Sequence, residues 1–363
     1  MLILVIGGTG AQGIAVIDAL LQPATDGSPS PFQIRVLTRD VNNHRAQRLA
    51  ERKGVELYTG SVLDLRSVDD AMDGVYGVFV NTDSFTIGEK AETFAGFRIF
   101  ELAKTKRTVR HYVWSGLESH LKARTLSLLG NWDPQYRTTH PDTKGRISDW
   151  IETQASEPYG MRWSILTTAP YMDMLLLMFA PAGQKPDGTF VFVAPMANAE
   201  MPMVALRDIG FFARFIFDHP TETSGSNLRI ASARVGWSDL VKTFTLVTGH
   251  KAEYLPLALN IYMDLLNGTD EPLAVSAQEE GGTTWGENFA GWWSTWRDEL
   301  VKRDWDWIRS VHPHVMTLEE WMRDNDYKGV RGPLLKVSEL ARPGEGRPRF
   351  NKDKLARLLG HKS

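Results

Sequence analysis

The sequence predicts an α/β protein, a doubly wound parallel sheet followed by a smaller C-terminal α/β lobe. Three observations carry that prediction. The first is the opening apolar run Leu2 to Ile6, suited to a strand buried on both faces, which ends at once in Gly7, Gly8, Gly10 and Gly13 before helical periodicity sets in from about Ala11 to Leu21. The second is the repetition of that order: six strand-like runs precede residue 168, and each except the fifth is followed closely by a helical pattern, as a parallel sheet with right-handed crossovers requires. The third is bulk. A chain of 363 residues, 42% hydrophobic and 23% charged, can bury a sizeable core in one large or two modest lobes.

Composition removes several classes of function. The net charge of −3 supplies no global basic field for nucleic acid. With no cysteine there are no disulfides, thiolate nucleophiles or cysteine metal sites, and no close His/Asp/Glu grouping suggests a metal centre. The opening apolar run stops after five or six residues, too short for a signal-peptide core or a membrane span, and no other run is long enough. A soluble cytoplasmic protein is expected, with the nucleus left open.

The glycine turn is the first functional signal. Its spacing is Gly-x-x-Gly-x-x-Gly over Gly7, Gly10 and Gly13, where the common dinucleotide fingerprint is Gly-x-Gly-x-x-Gly. Gly7 allows a sharp turn, Gly10 lets a pyrophosphate approach the backbone, and Gly13 lets the helix pack tightly on the strand. The free amides of that helix then face the phosphates, so Gly7, Thr9, Gly10, Ala11, Gln12 and Gly13 are the expected phosphate contacts.

The polar, proline-broken stretch Gln22 to Pro31 reads as a surface insertion. Strand two, Gln33 to Leu37, ends in Thr38-Arg39-Asp40, where a dinucleotide fold meets the adenosine ribose. Selectivity for NAD asks for a carboxylate at that tip. Here Arg39 comes first, and a guanidinium matches a 2′-phosphate. Asn43 to Lys53 reads as a helix, Val55 to Thr59 as strand three, Ser67 to Met72 as a short helix and Gly77 to Asn81 as strand four. Ser61, Asn81 and Thr82, at the ends of strands three and four, are candidate cofactor contacts or turn formers. Glu89 to Lys104 is an amphipathic helix, and Arg110 to Ser115 is strand five.

After an irregular stretch, Pro141 suits a first helical position, with His140 as its cap and Asp142 in the acidic first turn. His140 and Lys144, four apart, would lie near one another on that helix. Strand six, Arg162 to Leu166, leads into Thr167-Thr168-Ala169-Pro170-Tyr171-Met172 at the carboxyl edge of the sheet, where open sheets bind ligands.

These segments together carry a resemblance. "VIGGTGAQG", "TRD" after strand two, "VWSG" at strand five, "HPDTK" and "ILTTAPYMD", with "ALRDIG" and the tail "FAGWWSTWRDELVKRDWDWI…TLEEWM", resemble the NmrA-like branch of the atypical short-chain dehydrogenase/reductases, over most of the chain. The resemblance implies a Rossmann-type domain, NADP(H) as cofactor, and cofactor contacts at Ser115, Lys144, Pro170 and Tyr171. The usual Tyr-x-x-x-Lys pair becomes His140-x-x-x-Lys144, as is common in that branch, where the lysine lies near the nicotinamide. The family's Arg-Pro-Gly after strand six is replaced by Thr167-Thr168-Ala169, which changes the expected pocket. The branch holds both NADPH-dependent reductases and redox-sensing regulators.

Residues 1–168 are expected as the cofactor domain, 169–327 as a smaller lobe open to interleaved segments, and 328–363 as a loose basic tail. In the lobe, "GTFVFV", "EMPMVAL", "NLRIAS" and "KAEYLPL" read as strands, Asp208 as the cap of a helix through Phe217, and Gly236 to Val247 as a helix. Seven of the 12 tryptophans fall between Trp285 and Trp321. Phe289, Trp293, Trp296 and Leu300 recur at helical spacing, read first as core and otherwise as a lid or a face for a protein partner or second copy. Thr317 with Glu320 forms a capping box. The tail has ten Lys/Arg against three Asp/Glu but no groove-reading motif, so nucleic acid is not expected as its partner. The expected activity is hydride transfer from NADPH to a fairly apolar small molecule, with Lys144 as electrophile or proton donor and His140 assisting. The alternative is a non-catalytic sensor of NADP(H) acting through a protein partner.

Overall fold

The structure is a computed structural model, and it describes residues 1–24, 26–123, 133–274, 282–332 and 348–361. In chain order the first elements are β1 (Leu2–Ile6), α1 (Ala11–Leu21), β2 (Gln33–Thr38), α2 (His44–Ala50), β3 (Val55–Thr59), α3 (Leu65–Ala71), β4 (Gly77–Val80), α4 (Ser84–Ile87), α5 (Glu89–Thr105), β5 (His111–Gly116), α6 (His120–Ala123), α7 (Thr139–Glu152) and β6 (Arg162–Thr167). A later helix, α8 (Leu206–Asp218), belongs with them. All six strands expected in the first half are present within a residue or two of their expected ends.

The chain divides into two compact units that alternate along the sequence. The first comprises Met1–Glu118, Thr143–Thr168 and Leu206–Ile230; the second comprises Ser119–Asp142, Ala169–Ala205 and Ala231–Ser363. The first unit is a seven-stranded parallel sheet in the order Ser226–Arg229, β6, β5, β4, β1, β2, β3. The order reverses between β1 and β4. Their carboxyl ends are therefore the switch point where doubly wound sheets bind ligands.

β1 and β4 are buried almost throughout, which is why they read as unbroken apolar runs. One face of the sheet is covered by α5 and α7, with Ile99, Phe100, Ile147 and Ile151 packed on Val78, Tyr112, Trp114 and Ile165. Against α1 lies α8. The approach is close because Gly210 lacks a side chain: a Cβ there would sit 2.4 Å from the Ala15 carbonyl oxygen.

Four expectations are corrected here. The run read as a strand of the smaller lobe in "NLRIAS" is instead the edge strand of the main sheet, with Leu228 paired to Leu166 of β6. Asp208 is not a cap, because α8 already begins at Leu206; it lies in the acidic first turn, facing the positive end of the helix dipole. The helix expected from Pro141 starts at Thr139, with the Asp142 amide bonded to the Thr138 carbonyl at 2.9 Å. Pro141 is thus third in the helix, where its missing N–H leaves no intrahelical bond unmade, and His140 is inside the helix rather than its cap. The tail is not loose to its end. Arg349–Phe350 pairs with Leu266–Asn267, and the helix Lys352–Leu358 is capped by Asn351, which accepts from Asp353 and Lys354 amides at 3.1 and 3.0 Å. Residues 333–347, which carry most of the Gly/Pro cluster, lie outside the described residues.

The second unit has a three-stranded sheet, in which Phe190–Ala194 pairs parallel with Ala252–Pro256 and antiparallel with Gly183–Gln184. A second pair joins Glu200–Met203 to Ala233–Gly236. The helix Trp285–Arg297 starts on a capping box, Thr284 with Glu287, and the expected box of Thr317 with Glu320 starts Leu318–Asp324. Trp293 and Trp296 are buried as the helical spacing implied, and so is Trp292, which that spacing left out. Trp293 meets Trp237 and Tyr262 edge-on at 5.8 and 5.4 Å, which makes this helix core.

Candidate functional site

The glycine turn sits at the carboxyl end of β1. Gly7 has φ +83°, and a Cβ on it would lie 2.4 Å from the Asn81 carbonyl oxygen at the end of β4. Gly13 is equally constrained, since its Cβ would meet the Gly7 carbonyl oxygen at 2.3 Å. Both glycines are therefore demanded by the fold itself. Gly10 is different. Its backbone is extended, and a Cβ there would meet only the Gly7 carbonyl oxygen, at 3.3 Å. Gly10 is also the cap of α1, with no side-chain cap bond and no acid in the first turn, so the positive end of the helix is left for an outside anion. Thr9 and Gln12 are buried beside it, Ala11 is half-buried, and Gln12 donates from Nε2 to Ser115 Oγ at 2.9 Å.

Lys144 comes from α7 and ends in a dense polar cluster between β4, β5 and α5. Only 8% exposed, it donates from Nζ to Asn81 Oδ1 at 3.1 Å, the Ser115 carbonyl at 3.2 Å and Thr82 Oγ1 at 3.5 Å. Its ammonium lies 4.9 Å from the centre of the Trp114 ring and 3.6 Å from Glu92 Oε1. Glu92 is fully buried, and it accepts from Thr82 Oγ1 at 2.5 Å and from Ser84 Oγ. Burial draws the Lys144 pKa down while Glu92 and Asp83 oppose that shift; burial likewise pushes Glu92 up while Lys144 opposes it. Of the expected cofactor contacts, Asn81, Thr82 and Ser115 are thus gathered around Lys144 and Gln12.

Arg39 is exposed just beyond β2 and makes no hydrogen bond or ion pair among the described residues. Asp40 is exposed as well, and its Oδ1 accepts from the Asn42 amide at 2.8 Å and closes the turn. Ser61 is also in a turn, with Oγ accepting from the Leu63 amide at 3.2 Å. Arg45, which the sequence did not single out, reaches from the first turn of α2 to the Thr9 carbonyl at 3.4 Å.

In the second unit, His140 has Nδ1 at 3.2 Å from Asn288 Oδ1 and its ring centre 5.9 Å from that of Phe289. Asp142 takes the Thr138 amide at 2.7 Å and both Ser119 Oγ and the Leu121 amide at 2.9 Å. Pro170 and Tyr171 hold backbone pairing with Val204, including a 2.9 Å bond from the Val204 amide to the Pro170 carbonyl. Among the described residues no group of three His, Asp or Glu could hold a metal, and no helix is long and apolar enough to cross a membrane.

The profile of the NmrA-like family matches residues 1–322. The chain belongs to that family. Among curated NmrA-like proteins it is similar to the NmrA-like family domain-containing oxidoreductase malD of Malbranchea aurantiaca, 28% identical over 291 residues, or 74% of this chain and 79% of the relative. It is also similar to the oxidoreductase of the same description, hkm9, of Aspergillus hancockii, 27% identical over 70% of this chain and 75% of the relative. Among solved structures, NmrA, a negative transcriptional regulator, in complex with NADP superposes with a TM-score of 0.66 at 18% identity, over 89% of this chain and 94% of that one. The NADPH-dependent quinone oxidoreductase QOR2 of Escherichia coli complexed with NADPH gives 0.65 at 16% identity, over 89% of this chain and 99% of that one. At such identities the structures establish the shared Rossmann-type fold.

Two residues of the candidate site, Glu92 beside Lys144 and Arg45 beside the glycine turn, carry little sequence signal. Glu92 stands on α5 among Glu89 and Glu101 in a charged amphipathic pattern, and only the tertiary contact with Lys144 distinguishes it. Arg45 is one of several basic residues on α2.

Proposed function

We propose that this NmrA-like protein binds NADP(H) and reduces a fairly apolar small or medium organic molecule at a polarised C=O, C=N or activated C=C. The observation that carries the proposal is the Lys144 ammonium, buried and aimed by five neighbouring groups at the end of the sheet where doubly wound folds bind ligands. The amides at the start of α1 and the missing side chain at Gly10 fit a pyrophosphate, because α1 has no side-chain cap and no acid in its first turn, and a Cβ at Gly10 would meet only the Gly7 carbonyl oxygen within the turn. Arg39, without a partner among the described residues, fits a 2′-phosphate, and Arg45 would brace the turn. Thr9, Ala11, Gln12, Ser115, Pro170 and Tyr171 complete the proposed cofactor contacts.

When bound, NADPH supplies a hydride. The protein's part is to stabilise the negative charge that hydride addition leaves on the substrate heteroatom, and then to hand that atom a proton. A buried ammonium does both, acting more strongly there than in water because bulk solvent is excluded and the dipoles around it are fixed. His140, in the first turn of α7 and engaged with Asn288, would assist by orienting substrate. Support comes from the relatives named oxidoreductases and from solved reductases of this fold, among them the Citrobacter triphenylmethane reductase complexed with NADP(H), at a TM-score of 0.60.

NmrA, with the same fold and a regulator's description, favours a second reading: a sensor of NADP(H) acting on a protein partner. NADPH consumption with a panel of carbonyls, imines and enones decides between them. Turnover with any member of the panel supports the reductase, and NADPH binding without oxidation by the whole panel supports the sensor.

A further inference from the structure

We infer that Glu92 is a positioning residue for Lys144, the counter-charge that keeps its ammonium protonated and aimed, and that Thr82 and Ser84 hold Glu92 in place for that role. The inference rests on the reductase reading for its consequence in turnover, although its geometry stands alone.

A carboxylate with no exposed surface is rare unless a cation faces it, and Lys144 is the cation here, at 3.6 Å. Glu92 lies in the first turn of α5, where the helix dipole favours negative charge, and its two oxygens are separately occupied: Oε1 by Thr82 Oγ1 at 2.5 Å, Oε2 by Ser84 Oγ. This fixes the carboxylate before Lys144 is considered.

Around Lys144 the other partners are neutral: Asn81 Oδ1, Thr82 Oγ1, the Ser115 carbonyl and the face of Trp114. They orient the ammonium and favour its charged form only as neutral dipoles do; the largest opposition to the burial that favours the neutral amine comes from the facing acid. Asp83, the other acid acting on the pair, is exposed, and its carboxylate is engaged by the Phe85 amide at 3.1 Å and Thr86 Oγ1 at 2.6 Å. Glu92 therefore carries most of the opposing charge. The consequence is specific: a merely structural Glu92 would affect folding, whereas a positioning Glu92 sets the pH range over which Lys144 is an ammonium.

The test uses the full chain with isotope-labelled lysine, the Lys144 signal being assigned by its loss in Lys144→Met. In Glu92→Gln the titration midpoint of Lys144 should fall by about one pH unit or more, a roughly tenfold loss of proton affinity, with a smaller fall in Glu92→Asp. A midpoint within about a third of a unit of the parent would overturn the inference. Where Glu92→Gln fails to fold, the double variant Glu92→Gln, Lys144→Met decides: recovery of folding shows that Glu92 acts through Lys144, and continued failure overturns it. Once a substrate is in hand, the basic limb of the kcat profile should move to lower pH in Glu92→Gln while NADPH affinity changes less than about threefold. A shifted midpoint in a protein that oxidises no NADPH would keep Glu92 and overturn the reductase reading. A fixed midpoint in an active enzyme would overturn Glu92 alone.

Discussion

Each unit buries a polar cluster, and the two meet the cost of burial in opposite ways. In the first, Lys144 and Glu92 face one another as opposite charges, with hydroxyls and carbonyls filling the remaining valences. In the second, Asp142 is satisfied by backbone amides and a serine, while the His120 ring is held neutral, its pKa far below the usual imidazole range through burial and the neighbouring His140 and Arg303. Buried charge is expensive by several kcal/mol unless paired, so a cluster that keeps it has a use for it, whereas amide-bonded groups serve to fix a chain path. On the proposed reading the positive charge used in chemistry is that of Lys144. His120 offers only a neutral ring.

The largest effect that would sharpen this contrast lies next to the first cluster, in the glycine turn. Gly10→Val should leave the fold intact and weaken NADPH binding by about a thousandfold or more, because its Cβ would press only on the Gly7 carbonyl oxygen, at 3.3 Å, which a small shift relieves, but would have no room beside a pyrophosphate. Gly13→Val should instead fail to fold, since its Cβ would lie 2.3 Å from the Gly7 carbonyl oxygen. Calorimetric titration with thermal melts reads both. A Gly10→Val protein that binds NADPH normally would place the phosphates elsewhere.

Next comes Lys144 itself. Lys144→Met should cut turnover by about a hundredfold or more and change NADPH affinity far less, because its charge acts mainly on the transition state. His140→Ala should cost less and chiefly displace the pH optimum. Turnover in Lys144→Met within a few-fold of the parent would break the division of labour between the two clusters.

The first unit was more legible than the second for a physical reason. Strands buried on both faces need unbroken apolar residues, and the glycines at Gly7 and Gly13 are fixed by backbone approaches that no other residue permits, so both leave a local trace. The strand Ser226–Arg229 left none. With only Leu228 buried among its residues it looks like a lobe strand, and its place beside β6 is set by tertiary packing. The start of α7 lies two residues before Pro141 because Asp142, the first-turn acid the sequence indicates, also accepts from the Thr138 amide and draws Thr139 and His140 into the helix. Glu92 was invisible because a buried acid and an exposed one look alike on an amphipathic helix. Trp292 fell outside the helical stripe because it stacks on Phe179, which also meets Trp293, so the buried face of that helix is wider than the stripe.

A smaller effect tests the exposed edge of the first unit. Arg39→Ala should weaken NADPH binding by roughly ten- to a hundredfold and leave NADH almost unchanged, as the loss of one charge-assisted contact of about 1.5 to 3 kcal/mol implies. Arg45→Ala should weaken both cofactors alike, since its guanidinium reaches the Thr9 carbonyl of the turn. Equal affinity of the parent for NADPH and NADH would remove Arg39 from cofactor choice.

The smallest effect returns to the second unit and to a buried acid that, unlike Glu92, has no cation among the described residues. Asp173 is 7% exposed and accepts only one weak side-chain bond, from Trp321 Nε1 at 3.3 Å; burial pushes its pKa up to about 6. A folded-state pKa raised above the unfolded one means that the folded protein binds the extra proton. The group's contribution is therefore most favourable below about pH 4 and is lost as pH rises through 6. Full ionisation in place costs the folded state roughly 3 kcal/mol, an upper figure because water and neighbouring dipoles relax around the charge. Asp173→Asn removes that cost and keeps an acceptor for Trp321. It should stabilise the protein by roughly 1 to 2 kcal/mol at pH 8 and by almost nothing at pH 4, read as a melting-temperature gain that grows between the two. The same gain at every pH would mean that Asp173 is not ionised against its burial, and the contrast with the paired Glu92 would fall.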